Sequence, residues 1–209
     1  MLALATLSPA APPPDAVHAD WILAKLARPT PDRTAFVELR GSALLKAPLR
    51  IEGEYRRPRR DLLVREVRAP YRETTTIDTG PAAQVTLQRA GKPPRTFALA
   101  RVPELASLQS SFGALLDGDR ARLEQHYRIM VDGTRARWIM TLTPKHAQLA
   151  AKVRGIALHG RGAELRCIET TPAPVRGRAP EVQRTLLAGA AEAARGAVDA
   201  AALAALCRG

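Results

Sequence analysis

Four histidines and two cysteines are the side chains best suited to chemistry in this 209-residue chain, and their spacing gives them little to do together. His18, His126, His146 and His159 lie in four separate segments, none at metal-ligand spacing from a cysteine or carboxylate. They read as surface or strand-edge imidazoles, and no metal is expected. Ser110-Ser111-Phe112-Gly113 lacks the flanking glycine of a nucleophile elbow and falls within a helical pattern, which argues against a hydrolase. Asp117-Gly118-Asp119 supplies two carboxylates but not the rest of a calcium loop, and reads as a helix stop. Gly160-Arg161-Gly162 reads as a hairpin turn and not a phosphate cradle, because no helix follows it. Neither an enzyme nor a cofactor is expected.

Charge is the second chemical resource. The formal net charge is +12, which favours anionic surfaces: nucleic acid, lipid headgroups or an acidic partner. Arg56, Arg57, Arg59, Arg60, Arg65, Arg68 and Arg72 form the one dense cluster. A nucleic-acid site needs such residues on one face with aromatics between them for stacking. Tyr55 and Tyr71 only flank the cluster, and strand alternation scatters the arginines over both faces and a turn. A solvated strand face, or docking to anionic lipid or an acidic membrane partner, accounts for them better, and no nucleic acid is expected.

The elements that would position these residues are mostly short strands. Leu49, Ile51 and Tyr55 alternate with Arg50, Glu52, Glu54 and Arg56, the pattern of an antiparallel strand with one apolar face. Arg57-Pro58 is expected to break that ladder, since proline has no amide to donate. Similar runs are centred on Phe36–Leu39, Leu62–Val67, Tyr71–Ile77, Val85–Leu87, Phe97–Leu99, Tyr127–Val131, Trp138–Leu142, Ile156–Leu158 and Leu165–Ile168. Gly80-Pro81, Gly91-Lys92-Pro93-Pro94 and Asp132-Gly133 mark turns, the last as a tight hairpin. This spacing predicts one large antiparallel sheet, a barrel or an open half-barrel.

Two helical patterns stand apart from the strands. Asp20–Ala27 is a short helix carrying Trp21, Ile22, Leu23 and Leu26, ended by Pro29 and Pro31. Pro103–Leu116 places Leu105, Leu108, Phe112, Leu115 and Leu116 at helical spacing, and such a stripe inserted in a sheet protein belongs on the concave face, as a lid. Residues 1–19 read as a signal peptide, with Val17-His18-Ala19 as a cleavage site, or as a disordered Pro/Ala leader. Residues 172–180 are a Pro/Arg/Gly-rich loop, and residues 181–209 an Ala-rich helical tail. Two cysteines, Cys167 and Cys207, allow a single pairing, or are two unrelated small hydrophobes.

The ordered series from Trp21 to Thr170 resembles the outer-membrane lipoprotein carrier proteins of the LolA-like family. The series comprises the N-terminal helix, Phe36 in the first strand, Gly53-x-Tyr55-x-Arg57-Pro58, Pro70 after the next strand, and the Leu-rich insert. It continues through Gly118-Asp119, the Trp138-x-x-x-Leu142-x-Pro144 run and Ile156-x-Leu158-x-Gly160. The last runs look like a divergent branch often associated with aryl-polyene or related lipid-pigment biosynthesis.

The resemblance implies a mainly β fold with an α lid, over residues 20–171: an open antiparallel half-barrel whose concave face is covered by the two short helices. It implies a periplasmic monomer that carries the acyl chains of a lipoprotein or lipid between inner-membrane donor and outer-membrane acceptor, touching membranes only transiently. Phe36, Tyr55, Leu108, Phe112, Trp138 and Met140 are the candidates for lining the cavity, and each equally suits an ordinary core. Arg57 inherits the role of reaching from the strand end to backbone groups of the lid, for which a guanidinium fork is well made. Alternatively it is one more surface arginine; exposure is expected in either case. In an oxidising periplasm, Cys167 and Cys207 would pair and staple the tail to the sheet, at about 3–4 kcal/mol of stability. The alternative function is an interaction or assembly module with a dry core and a basic partner-binding face.

Overall fold

The structure, a computed structural model, describes residues 15–40, 49–81, 83–101, 112–174, 181–196 and 199–209. Eleven strands among these residues form one antiparallel sheet. They are β1 (Asp32–Arg40), β2 (Leu49–Arg59), β3 (Leu62–Ala69), β4 (Glu73–Asp78), β5 (Gln84–Arg89), β6 (Arg95–Ala98), β7 (Tyr127–Thr134), β8 (Arg137–Pro144), β9 (Val153–Arg161), β10 (Glu164–Pro172) and β11 (Gln183–Leu187). The spatial order is β6-β5-β4-β3-β2-β1-β11-β10-β9-β8-β7, so β6 and β7 are the two edges and the sheet is open. Every alternating run in the sequence lies in or overlaps one of β1 to β10.

The order explains the insert. β6 and β7 follow one another along the chain but stand at opposite edges, so the connection has to cross the sheet. Its described part holds α2 (112–117) and α3 (Arg120–His126). Asp117-Gly118-Asp119 does end α2, with Gly118 at φ +70°, and Asp119 also caps α3 by accepting from the Arg122 amide at 2.9 Å. The preceding helix α1 (Ala19–Leu26) buries Ile22, Leu23 and Leu26 against this region. Leu105, Leu108 and Ser110-Ser111 lie outside the described residues.

Four expectations need correction. The tail is not helical from its start: Gln183–Leu187 is β11, placed between β1 and β10, where it joins two meanders into one sheet. Thr185, Leu186 and Leu187 are all buried, so the strand has no polar alternation to betray it. The remainder of the tail is helical, as α5 (Ala188–Ala193) and α6 (Ala200–Arg208), numbered after the single turn α4 (Ala147–Ala150) between β8 and β9. The β7–β8 hairpin turns at Arg135-Ala136, three residues later than Asp132-Gly133, because Thr134 pairs with Arg137. Gly133 stays in the ladder at φ +99°, where a Cβ would meet the Arg137 carbonyl. Pro58 does not end β2; the strand continues, and the disturbance is a register shift between Arg56 and Arg59. Residues 15–19 pack with the body of the fold: Val17 and Ala19 are buried, and the Arg135 amide donates to the Asp15 carbonyl at 3.2 Å.

Each face of the sheet has its own apolar cluster. On one, α1, α2 and α3 cover β7 to β9, burying Leu115, Leu123, Tyr127, Trp138, Met140 and Leu158. Gly160 makes room there: a Cβ would fall 2.0 Å from the Trp138 ring, whose Nε1 donates to the Gly162 carbonyl at 2.9 Å. On the other face, α5 and α6 cover β1, β11 and β10. The small side chains of Ala190, Ala191 and Ala194 let α5 lie close to Val37, Leu39 and Leu186. Cys167 of β10 and Cys207 of α6 form a disulfide on this tail face.

Candidate functional site

Among the described residues, the helices over β7 to β9 do not extend across the neighbouring part of the same face, and a cleft of about 450 Å³ opens there. Alternation brings its lining from many strands. Leu142, Ile156 and Leu158 form one wall; Leu63 and Tyr55 stand opposite; Phe112 and Leu115 of α2 overhang it. A smaller space of about 80 Å³ continues toward Leu26, Arg57 and Leu116. The larger falls in the range of roughly 300–1,000 Å³ usual for small-molecule sites, and the smaller is an extension of it.

The expected lining residues separate into two groups. Tyr55 and Phe112 face the cleft, with ring centroids 6.3 Å apart. Phe36 lies beneath Tyr55 at 4.8 Å and is 1% exposed, so it supports the floor from within. Trp138 and Met140 are buried in the core between sheet and helices, without a surface on the cleft. Leu108 lies outside the described residues.

Arg57 is not exposed, as expected of a surface arginine, but buried at 4% exposure. Its position next to Pro58 at the β2 register shift turns it under α2. Nη1 donates to the carbonyls of Leu116 and Arg28, both at 3.4 Å, and Nη2 pairs with Asp117. Arg57 thus ties the strand end to the last turn of α2 and to the chain just after α1. Asp117 is shared with Arg60 at 3.5 Å and Arg122 at 3.7 Å, so the helix end is held by three guanidinium groups.

Most of the remaining arginine cluster is neutralised locally. Arg56 pairs with Glu66, Arg68 with Glu54 and Glu66, and Arg59 with Asp61 and Asp78. Arg65 differs, because its register partner Tyr55 sets it on the cleft face. Burial pulls its pKa down, but Tyr55 and Glu38 outweigh that and hold it above the ordinary value, so it stays charged. Burial in turn pushes the Tyr55 phenol up. His159 also departs from expectation: it is buried on the tail face, 3.3 Å from Glu169, which Arg184 holds as well. With Cys207 it forms a group of metal-ligating side chains, but Cys207 is committed to the disulfide.

Glu38, Arg40 and Gln183 are cleft residues absent from the sequence expectations, and Arg65 was expected only as a member of the arginine cluster. Glu38 and Arg40 had a visible signal: they stand two and four positions beyond Phe36 in one strand, hence on its face. Gln183 had none, since its strand was not recognisable.

The family described as outer membrane lipoprotein carrier protein LolA-like matches residues 10–209. The chain belongs to this family. The match takes in β11 and the Cys207 tail, which the motifs in the sequence do not reach. No curated protein matches the chain. Among solved structures, this LolA-like protein is similar to a LolA superfamily protein from Nitrosomonas europaea, at 13% identity and a TM-score of 0.39, over 83% of this chain and 92% of the other. The family is one of lipoprotein and lipid carriers, and no helix among the described residues is long and apolar enough to cross a membrane.

Proposed function

We propose that this protein is a periplasmic carrier that holds the acyl chains of a lipoprotein or lipid in the cleft and moves them between inner and outer membrane. The carrying observation is the cleft of about 450 Å³, walled by Leu63, Phe112, Leu142, Ile156 and Leu158 and open on one side. An interaction module with a dry core would fill that space with side chains. Each methylene withdrawn from water contributes roughly 0.8 kcal/mol, which makes a long chain an adequate source of affinity. Transfer then needs a donor and an acceptor that shift the balance, the acceptor by offering a better site or by opening the lid. No bond is made or broken.

Arg57 is the natural latch in this scheme. It holds the end of α2 over the cleft through donors to Leu116 and Asp117. Release of the latch would let the helix lift without disturbing the sheet. The direct test is native mass spectrometry of protein taken from the periplasm of its own host, followed by denaturing extraction. Co-purifying acyl mass supports the carrier. Bare protein that also fails to bind a neutral apolar dye such as Nile red overturns it.

A further inference from the structure

An acyl chain asks nothing of its site but apolar surface, and one end of this cleft is charged. The cross-strand row Leu142–Ile156–Thr170–Gln183 starts apolar on β8 and turns polar at β10 and β11. The adjacent row turns polar one strand later, from Met140 through Leu158 and Ile168 to Thr185 and Glu38. Glu38 is 2% exposed. Burying a carboxylate beside leucines costs several kcal/mol unless it is fully paired. It is paired: Arg40 donates from Nε at 3.0 Å and approaches through Nη2 at 2.9 Å, Arg65 Nη2 donates at 3.2 Å, and Gln183 Nε2 at 2.5 Å.

Among the described residues, two guanidinium groups on one carboxylate leave a surplus of one positive charge, and both groups line the cleft. Arg65 is fixed in place, its guanidinium 4.7 Å above the Phe36 ring and donating to Glu38 at 3.2 Å. Arg40 stands at the open rim, with its side chain 47% exposed. A planar fork held rigid against an aromatic floor is suited to two-point contact with a carboxylate or phosphate, and a polarised amide and hydroxyls stand beside it. A cationic head would meet the surplus charge and a neutral one would leave it unused.

We infer that the cargo is an amphiphile with an anionic headgroup, a carboxylate or phosphate monoester, seated on Arg65 and Arg40 with its chain along Phe112, Leu142 and Ile156. This rests on the carrier reading, since it assigns the head of a ligand whose tail fills the cleft. The test uses delipidated full-length protein loaded with Nile red, displaced by single-chain amphiphiles of equal length: hexadecanoate, hexadecanol and hexadecyltrimethylammonium.

The expected order is hexadecanoate first, by about tenfold over hexadecanol, the size of a hydrogen bond to a charged group. Hexadecyltrimethylammonium comes last. In Arg65→Met the ratio of hexadecanoate to hexadecanol affinity falls toward one, whatever the absolute affinities. Arg40→Gln, at the solvent rim, lowers the same ratio and serves if Arg65→Met does not fold. Equal displacement by all three amphiphiles overturns the headgroup site but leaves the carrier standing. Displacement by none overturns the carrier itself.

Discussion

On the tail face, α5 and α6 lie on β1, β11 and β10 with alanines at the contact and a disulfide holding the far end; on the opposite face, α1, α2 and α3 of the described residues lie mainly over β7 to β9. The strands are shared, so the difference comes from what each face is covered with. Small residues allow close approach and a filled interior. The bulkier Phe112 and Leu115 on a helix that crosses at one side leave a space between helix and sheet. The tail face therefore reads as the part that keeps the sheet together, and the cleft face as the part left free to bind.

Replacing both Cys167 and Cys207 by serine removes the link across a separation of 40 residues. A loss of about 4 kcal/mol is expected by chain-entropy arguments, seen as a lower urea midpoint at unchanged slope. Nile red affinity measured below the new transition should hold. If affinity falls in step with stability, the two faces are one cooperative unit and the division fails.

A sharper contrast uses one truncation on each face. Leu186 is fully buried under the tail, and Leu186→Ala should cost about 2–4 kcal/mol through loss of packing and a new cavity. Phe112 is half-buried at the cleft, and Phe112→Ala should cost under about 1.5 kcal/mol in stability while weakening apolar-ligand binding severalfold. Binding by titration and stability by denaturation, measured on both variants, should give opposite rankings. Identical rankings would mean that Phe112 is ordinary core.

Arg57 tests the seam between the latch and the sheet. Because it is buried, Arg57→Leu should lower stability by about 1–3 kcal/mol; Asp117 keeps Arg60 and Arg122 within reach, which limits the loss. In a reconstituted donor-to-acceptor assay the variant should lose cargo faster than the native protein. Unaltered retention would leave Arg57 as a structural tie only.

The smallest effect concerns acid on the tail face. Burial pushes the Glu169 carboxyl up, but Arg184 and His159 outweigh it and hold the pKa below its ordinary value. A carboxylate depressed in the folded state contributes stability above its unfolded pKa, and that contribution is lost as pH falls through the folded value. Thermal midpoints should therefore drop below about pH 4.3, the ordinary glutamate value, and Glu169→Gln should flatten part of that decline. A variant with an unchanged slope would place the acid sensitivity elsewhere.

Much of this was legible in the residue order. The alternation of Leu49, Ile51 and Tyr55 against Arg50, Glu52 and Glu54 put the right side chains on the cleft side, because a strand has only two faces. The arginine cluster was read as divided between faces and turn, and it is, with acidic partners for most members. β11 was not legible, because a strand buried on both sides loses its alternation and sits here beside alanines that favour helix. Trp138 and Met140 could not be assigned to core or cleft, since both environments select the same apolar residues and only the position of α1 and α2 separates them.

Residue order alone carries the strands of the two meanders, the apolar face of each and the helix stop at Asp117-Gly118-Asp119, all of which are local consequences of period and of proline and glycine. Tertiary structure decided what those periods cannot encode: that β6 and β7 fall at opposite edges, so the insert must cross the sheet, and that β11 joins the two meanders. It also decided that Arg57 is buried under α2 and that Glu38, Arg40, Arg65 and Gln183, drawn from three strands, meet at one end of the cleft. Such meetings depend on long-range register, which is set by the whole sheet closing on its cores and not by any one segment.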